Sequence, residues 1–222
     1  MHIPDGFVSG EVNAAAFALS AAVSGLAAWR AGRTLGDREV PLLGTTAAFL
    51  FAAQLLNFPV GAGTSGHFLG ALLAAVLLGP WNACLVLAVV LTLQCLLFYD
   101  GGLTALGSNL LNMGLVGGVG AYGVFALLRA VLPKTRACFL AAAALAAWVS
   151  VVAAAACCAL ELGLSGTVPL RLALPAMAGV HAVIGIGEAF ITSAVLSVVL
   201  AARPDLVGAW SGSKQQPEPQ GA

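Results

Sequence analysis

The stretch ACFLAAAALAAWVSVVAAAACCAL, residues 137–160, decides the fold class of this chain. It contains no charged residue, and about 20 consecutive apolar residues are what an α-helix needs to cross the hydrocarbon core of a membrane. Six further apolar stretches surround it, at 11–29, 41–57, 66–79, 81–98, 105–129 and 176–201. The sequence therefore predicts an all-α membrane protein, a bundle of about seven transmembrane helices.

The composition of the whole chain agrees with this class. Hydrophobic residues make up 60% of the 222 residues and charged residues only 8%, against roughly 25% in soluble domains. Because so few polar groups cannot cover a water-facing surface, a soluble enzyme and a disordered chain are excluded. The formal net charge of zero excludes a nucleic-acid binder, which needs a basic face. The apolar stretches are continuous, whereas a transmembrane β-barrel requires alternation.

Lysine and arginine residues predict the orientation of the bundle. When the N-terminus is placed outside, eight of the nine basic residues fall on the inner side and Arg171 alone lies outside. The eight are Arg30, Arg33, Arg38, Arg129, Lys134, Arg136, Arg203 and Lys214. We therefore expect a cytoplasmic C-terminus, a transmembrane domain over 1–204 and a polar, disordered cytoplasmic tail over 205–222. Because no basic segment precedes the first apolar run, we expect no cleavable signal peptide and a native N-terminus.

The third apolar stretch is too short to cross the membrane alone. A helix from Gly66 to Gly79 would rise about 20 Å, whereas the hydrocarbon core is about 30 Å thick. The Gly79-Pro80 turn fixes its inner end, so its outer end, with His67, should lie below the outer surface. The loop 57–66 must then dip into the bundle. Irregular backbone at that depth is tolerated only when it is buried in protein or lines a polar cavity, which makes this loop the first sign of a site.

The three histidines, His2, His67 and His181, all fall on the outer half of the predicted bundle. Histidine is the commonest transition-metal ligand, and ionisable residues inside a membrane mark functional sites. A metal site is therefore the leading hypothesis, and three unrelated histidines, each satisfied locally, are the alternative. His181 is either an alternative ligand or an entry relay, or it makes a structural hydrogen bond.

The first two residues form a chelating unit by themselves. In Met1-His2, the terminal amine, the backbone nitrogen of His2 and its imidazole Nδ1 can close a five-membered and a six-membered ring on one metal ion. His67 can supply a fourth nitrogen. Such tetragonal coordination suits nickel or copper best, and cobalt can be forced into it. Because the amine and the imidazole must be unprotonated, metal uptake should weaken in acid.

Polar residues close to these ligands in the sequence are candidate supports. Asp5 either orients His2 or offsets the charge of the metal, or it serves as an N-cap or turn residue. Asn57, Thr64 and Ser65, in the dipping loop, either donate hydrogen bonds to the ligands or satisfy the loop backbone.

Two further pairs lie within predicted helices. His181 and Glu188 are seven residues apart and share one helix face, which should point into the bundle because both are costly in lipid. Asn109 and Asn112 share a face of the fifth helix, and we interpret them mainly as interhelical hydrogen-bonding residues.

Three motifs resemble those of the CbiM/NikM family, the substrate-binding membrane subunits of energy-coupling-factor (ECF) transporters for cobalt and nickel. They are MHIPDG at 1–6, NFPVGAGTSGH at 57–67 and HAVIGIGEA at 181–189. The resemblance spans the chain up to about Pro204. It implies capture of a divalent metal ion outside and its release inside, across a bacterial inner membrane. The implied metal ligands are Met1, His2 and His67.

The resemblance also implies partners, namely a coupling transmembrane (T) subunit, ATPase subunits and a small auxiliary membrane subunit. Nickel members often carry a fused extra segment, and this chain stops after seven helices. The resemblance therefore favours cobalt import supplying cobalamin biosynthesis, with nickel uptake by the same mechanism as the alternative. The metal is the transported ligand, and we expect neither a resident cofactor nor a nucleic-acid partner.

Two other function classes compete with transport. An enzyme of the rhomboid type, an intramembrane serine protease, is the remote alternative, because Gly63-Thr64-Ser65-Gly66 fits GxSG and Ser65 could pair with His181. A channel or scaffold without a tight site is the third. No Walker A motif exists, since neither Lys134 nor Lys214 follows a glycine, so we expect a transporter subunit that is not an enzyme.

Overall fold

The structure, a computed structural model, describes residues 1–36, 39–56, 58–59 and 65–210. Within these residues the chain forms seven main helices. They are α1 (Gly10–Thr34), α2 (Glu39–Gln54), α3 (Ala71–Leu78), α4 (Pro80–Phe98), α5 (Leu106–Val131), α6 (Arg136–Leu164) and α7 (Leu170–Ala202). In this described part, α1 and α4 to α7 are long and apolar enough to cross a membrane, five helices in all. The predicted all-α, multi-pass membrane protein is confirmed.

The third predicted segment, 66–79, differs most from the structure, because only Ala71–Leu78 is helical. Before it, the two-residue strand β2 (Ser65–Gly66) pairs antiparallel with β1 (Phe58–Pro59), and an irregular segment follows up to Gly70. Gly70 has a φ of 69°, a left-handed conformation that glycine adopts at no steric cost. This residue breaks the helical backbone, so α3 begins only after it.

α3 lies at the centre of the bundle. Its residues from Ala71 to Leu77 are buried, and α2, α4, α5 and α6 pack around it. Its eight residues rise about 12 Å, less than half of the apolar thickness of a membrane. The irregular segment 67–70 that precedes it is buried as well. This placement agrees with the predicted burial of the loop end, whereas residues 57 and 60–64 of the loop lie outside the described chain.

α5 changes its winding in the middle, where Leu110–Gly120 forms a π-helix. Such wider turns are frequently found at functional sites. Gly117 lies in this part, and its carbonyl accepts a hydrogen bond of 2.6 Å from the Ser150 hydroxyl of α6. A Cβ at Gly117 would lie 3.0 Å from the side chain of Leu69, so α5 packs directly on the irregular segment 67–70.

α7 is longer than predicted. It begins at Leu170 rather than at 176, because Pro175 lies inside the helix without ending it. A proline inside a helix removes one backbone hydrogen bond, here the bond to the carbonyl of Arg171, and its ring crowds the same carbonyl.

The chain after α7 packs on the bundle as far as the structure describes it. The N–H groups of Gly208 and Ala209 donate to the carbonyls of Leu77 and Val76, in α3, at 2.9 and 3.1 Å. The boundary predicted at 204 stays a prediction, and residues 211–222 of the predicted tail lie outside the described chain.

Candidate metal site

The amino end of the chain is fixed to the bundle through Ile3. The Ile3 N–H donates to Oδ1 of Asn109 at 2.8 Å, and Nδ2 of Asn109 donates to the Ile3 carbonyl at 3.1 Å. The Gly102 N–H donates to the same carbonyl at 2.8 Å. Ile3 and Asn109 are both 2% exposed, so these bonds lie in the protein interior. The preceding residues, Met1 and His2, are thereby drawn into the bundle.

Asp5 anchors the amino-terminal tail, residues 1–9, at a second point. Its Oδ1 accepts hydrogen bonds from the backbone N–H and the hydroxyl of Thr104, at 2.7 and 2.6 Å. These bonds hold the pKa of the Asp5 carboxyl below its ordinary value. The structure thus places the Asp5 carboxylate on the loop between α4 and α5. This placement supports the interpretation of Asp5 as a turn residue more than its interpretation as a partner of His2.

The loop between α6 and α7 holds the tail from the other side. The Thr167 hydroxyl donates to the carbonyl of Phe7, and the backbone N–H of Ser9 donates to the Ser165 hydroxyl at 2.9 Å. The tail therefore bridges two loops and lies across one end of the bundle.

His2 lies beneath this tail, with its side chain 6% exposed. Its Nδ1 is 3.1 Å from the backbone carbonyl of Asp100 and 3.5 Å from the carboxylate Oδ1 of the same residue. A carbonyl accepts only from a protonated nitrogen, so this arrangement leaves the lone pair on Nε2. The predicted chelate needs Nδ1 instead, which requires the ring to turn about its Cβ–Cγ bond.

His67 meets His2 directly. The two ring centroids are 4.8 Å apart, and the rings are nearly perpendicular, at 71°. Nδ1 of His67 is 2.9 Å from the carbonyl of Phe68, so its lone pair is also on Nε2. The Nε2 atoms of both histidines are buried and have no hydrogen-bond partner among the described residues. A backbone carbonyl that fixes one ring nitrogen and frees the other is the usual support of a metal-binding histidine.

The terminal amine of Met1 completes the group. Burial lowers its pKa below the ordinary value of 8.0, against the opposing influence of Cys158 and Asp100. Burial and the amine also lower the pKa of His2, where Asp100 opposes, and burial, the amine and His2 lower the pKa of His67. These mutual effects place the amine near both imidazoles. All three groups favour the unprotonated state that a metal requires.

The segment carrying His67 is held by two helices. Oε2 and Oε1 of Glu188, in α7, accept the backbone N–H groups of Leu69 and Gly70, each at 2.7 Å. The side chain of Gln54, in α2, donates to the carbonyl of Leu69 at 2.7 Å. Sequence reasoning singled out Glu188 but missed Gln54, whose only signal is an amide inside an apolar helix.

His181 lies in α7 and is 1% exposed. Its Nδ1 bonds the carbonyl of Met177 in its own helix at 2.8 Å, which is the structural hydrogen bond considered from the sequence. Its buried Nε2 takes no partner from the part of the chain that is described.

The remaining predicted residues are less fully described. Asn57 and Thr64 lie outside the described residues, as does the side chain of Ser65, so the pairing of Ser65 with His181 stays untested. Among the residues that are described, no three His, Cys, Asp or Glu side chains form a metal-binding group. The predicted ligand set does not need one, because two of its four nitrogens belong to the main chain.

Comparison with known proteins decides the family. The family model CbiM, described as a cobalt uptake substrate-specific transmembrane region, matches residues 2–206. The chain belongs to the CbiM family. The resemblance stated from the three motifs is thereby confirmed.

Relatives of this CbiM-family chain carry names for both metals. It is 43% identical over 93% of its length to a putative fused nickel transport protein NikMN of Archaeoglobus fulgidus, of which it covers 68%. It is 42% identical to a putative metal transport protein of Haloquadratum walsbyi, with 93% of both chains covered. It is also 35% identical to a cobalt transport protein CbiM of Sorangium cellulosum, over 75% of this chain and 76% of that one.

A solved structure shares the fold of this CbiM-family chain. The crystal structure of a truncated transition metal transporter superposes with a TM-score of 0.83 and 34% sequence identity, over 90% of this chain and 99% of that one. The chain is therefore a membrane component of metal transport of the cobalt and nickel type. Its relatives are named as transport proteins, which agrees with the prediction that it is not an enzyme.

Proposed function

We propose that this chain is the substrate-binding membrane subunit of an ATP-driven ECF transporter that imports a divalent metal ion. One observation carries the proposal, namely that His2 and His67 meet at 4.8 Å beside the buried amine of Met1. Residues 1, 2 and 67 approach only because the amino end folds into the bundle. Three nitrogen donors placed together in this way can bind one metal ion.

The proposed ligands are the Met1 amine, the backbone nitrogen and the imidazole of His2, and Nε2 of His67. Hydrogen bonds to Asn109 and Thr104 hold the tail in the bundle, where the amine can reach the ion. The tail and the segment 67–70 then exclude water from the ion. Four nitrogen donors of this kind discriminate against magnesium and calcium, which prefer oxygen.

The choice between cobalt and nickel is the finer part of the proposal. We propose cobalt for cobalamin biosynthesis, and nickel stands as an equal alternative. The donor set favours nickel, since affinity for nitrogen ligands rises from cobalt to nickel. The matched family model is named for cobalt uptake, whereas the relatives bear names for either metal. Competition between the two ions for the purified protein measures the preference.

Release is proposed to occur on the cytoplasmic side and to need partners. We assign these roles to a coupling transmembrane subunit, ATPase subunits and a small auxiliary membrane subunit. The proposed orientation, with the N-terminus outside, places Arg30 and Arg33 at the inner end of α1. There Arg30 lies over the Trp81 ring at 4.4 Å, and Arg33 lies over the Trp29 ring at 3.9 Å. Such basic and aromatic pairs are typical of a cytoplasmic membrane interface.

Elemental analysis tests the proposal. The purified protein, loaded with nickel or cobalt and freed of excess ion, should hold one metal ion per chain. His2→Ala and His67→Ala should each lose it, whereas Thr45→Ala should keep it. Thr45→Ala is the control because the exposed Thr45 hydroxyl donates to the carbonyls of Pro41 and Leu42 in its own helix, away from the proposed ligands. Full metal content in both histidine variants would refute the proposal.

A further inference from the structure

Two buried polar side chains hold the segment after His67 in place by hydrogen bonds to its backbone. Both oxygens of the Glu188 carboxylate accept backbone N–H groups, those of Leu69 and Gly70. Glu188 is only 2% exposed. These N–H groups lie at the amino end of α3, where the helix dipole also favours a negative charge. The fully buried Gln54, in α2, donates to the Leu69 carbonyl.

The segment has little freedom to adopt another shape. Gly70 is left-handed, and a Cβ at this position would lie 2.1 Å from the Leu50 side chain. His67 is tied to the same backbone, because its Nδ1 bonds the carbonyl of Phe68. The position of the His67 ring relative to His2 therefore depends on where Glu188 and Gln54 hold Leu69.

The residues next to His2 are attached to different elements, whereas the loop between α6 and α7 holds the tail farther along, at Phe7 and Ser9. Asn109 of α5 and Gly102 hold Ile3, and Thr104 holds Asp5. Gly102 and Thr104 lie in the loop before α5. The His67 half is attached to α2 and α7 through side-chain hydrogen bonds. A displacement of α7 relative to α5 would consequently separate His67 from the amino end.

We propose that Glu188 is a positioning residue that sets His67 against the amino end, so that movement of α7 withdraws this ligand first during ion release. The inference rests on the proposed function, since it assumes that His67 binds the transported ion. It adds a release order, in which the contact to His67 opens while the chelate of Met1 and His2 still holds the ion. Glu188 does this without touching the metal.

The test uses nickel alone as the probe on the full-length purified protein. Glu188→Gln keeps the size of the side chain but places an NH₂ group against one of the two backbone donors. Gln54→Met removes the hydrogen bond to the Leu69 carbonyl and keeps a side chain of similar volume. Each should weaken nickel affinity about 10- to 100-fold, the range for losing a group that orients a metal ligand. At nickel concentrations that saturate the weaker chelate of Met1 and His2 left in His67→Ala, each should also shift the visible absorption of bound nickel towards that of His67→Ala.

A double-mutant comparison separates positioning from a general loss of stability. Combining Glu188→Gln with His67→Ala should weaken binding no further than His67→Ala alone, because the residue it positions is already gone. The control is Glu161→Gln, which alters another buried carboxylate, one that accepts a hydrogen bond from Asn112 at 2.6 Å. This control should leave the nickel spectrum unchanged. Gln54→Met carries the same test if Glu188→Gln does not fold.

The outcomes distinguish the two proposals. If His2→Ala and His67→Ala abolish tight binding while Glu188→Gln and Gln54→Met bind nickel normally, the positioning role is wrong and the metal site stands. Additive losses in the double variant, or an equal loss in Glu161→Gln, would also overturn the positioning role. If His67→Ala itself binds nickel normally, the proposed function fails, and the positioning role fails with it.

Discussion

The side-chain amide of Asn109 binds both backbone polar groups of Ile3, at 2.8 and 3.1 Å. A side chain of α5 thus pairs with both backbone groups of Ile3, as a neighbouring strand would in a sheet. The two residues before Ile3 carry the proposed chelate, so this side chain helps to fix the position of the chelate, together with Gly102 and Thr104.

Replacing Asn109 should therefore weaken metal binding without removing a ligand. Asn109→Ala leaves the buried N–H of Ile3 without its acceptor, which costs about 1–3 kcal/mol. Metal affinity should fall about 5- to 150-fold, since each 1.4 kcal/mol is tenfold. Titration calorimetry with nickel or cobalt measures the change. Asn112→Ala is the control, because Asn112 donates to Glu161 rather than to the tail. Equal losses in both variants would show that the effect is a general one on packing.

Gly102 should be intolerant of any side chain. A Cβ at this position would lie 2.3 Å from the backbone nitrogen of Asp5, so Gly102→Ala must push the tail away. Such overpacking costs about 1–3 kcal/mol, and metal affinity should fall about tenfold or more. The matched control is Gly123→Ala in α5, where an added Cβ meets no atom of the described residues within 4 Å. Unchanged affinity in Gly102→Ala would show that the tail is not docked as described.

Adding one residue before Met1 should abolish tight binding. The extension converts the terminal amine into an amide and displaces the new amine from His67. The loss should exceed about 100-fold, because outer groups alone account for 10- to 100-fold. Affinity is compared with that of a chain extended by one glycine after Ala222, and mass spectrometry verifies both termini. Normal binding by the amino-terminal extension would remove the amine from the ligand set.

Metal binding should persist to lower pH in the protein than in the free peptide Met-His-Ile-Pro. Burial lowers the pKa of the Met1 amine from 8.0 and that of the His2 imidazole from 6.5. Protons therefore compete with the metal only at lower pH than in the peptide, and binding is then lost as acidity increases. Nickel titrations of the protein and of the peptide at a series of pH values give, for each, the midpoint pH at which half of the binding is lost. Coinciding midpoints would contradict the buried site.

The same shifts set the sign of the stability change without metal. The unfolded chain takes up protons below about pH 8 at the amine and 6.5 at His2, where the folded chain resists them. Stability of the metal-free protein should consequently fall as the pH decreases through this range. Thermal unfolding in detergent at several pH values measures it, and a rise in stability towards acid would contradict the account.

Much of the fold was predictable because each long apolar run must be one helix in a membrane. The prediction of 81–98 for α4 agrees with the observed Pro80–Phe98 to one residue at its start. The start of α3 was not predictable in the same way. It depends on Gly70 and on the hydrogen bonds that Leu69 and Gly70 donate to Glu188, which lies far along the chain.

The proposed ligand residues were easier to single out from the sequence than the residues that hold them in place. Met1 and His2 follow from the local chemistry of an amino terminus, and His67 from its place before a short helix. Asp100 and Gln54 act through contacts with residues distant in sequence, which no local pattern shows. Asn109 was singled out from the sequence, but as an interhelical residue, because its partner is the irregular tail rather than a helix.

A crystal structure of the nickel- or cobalt-loaded protein, with anomalous differences recorded at the metal edge, tests the central claim most directly. The account predicts one ion bonded to the Met1 amine, to His2 and to Nε2 of His67. An ion held elsewhere, with the amino end free in solvent, would contradict it.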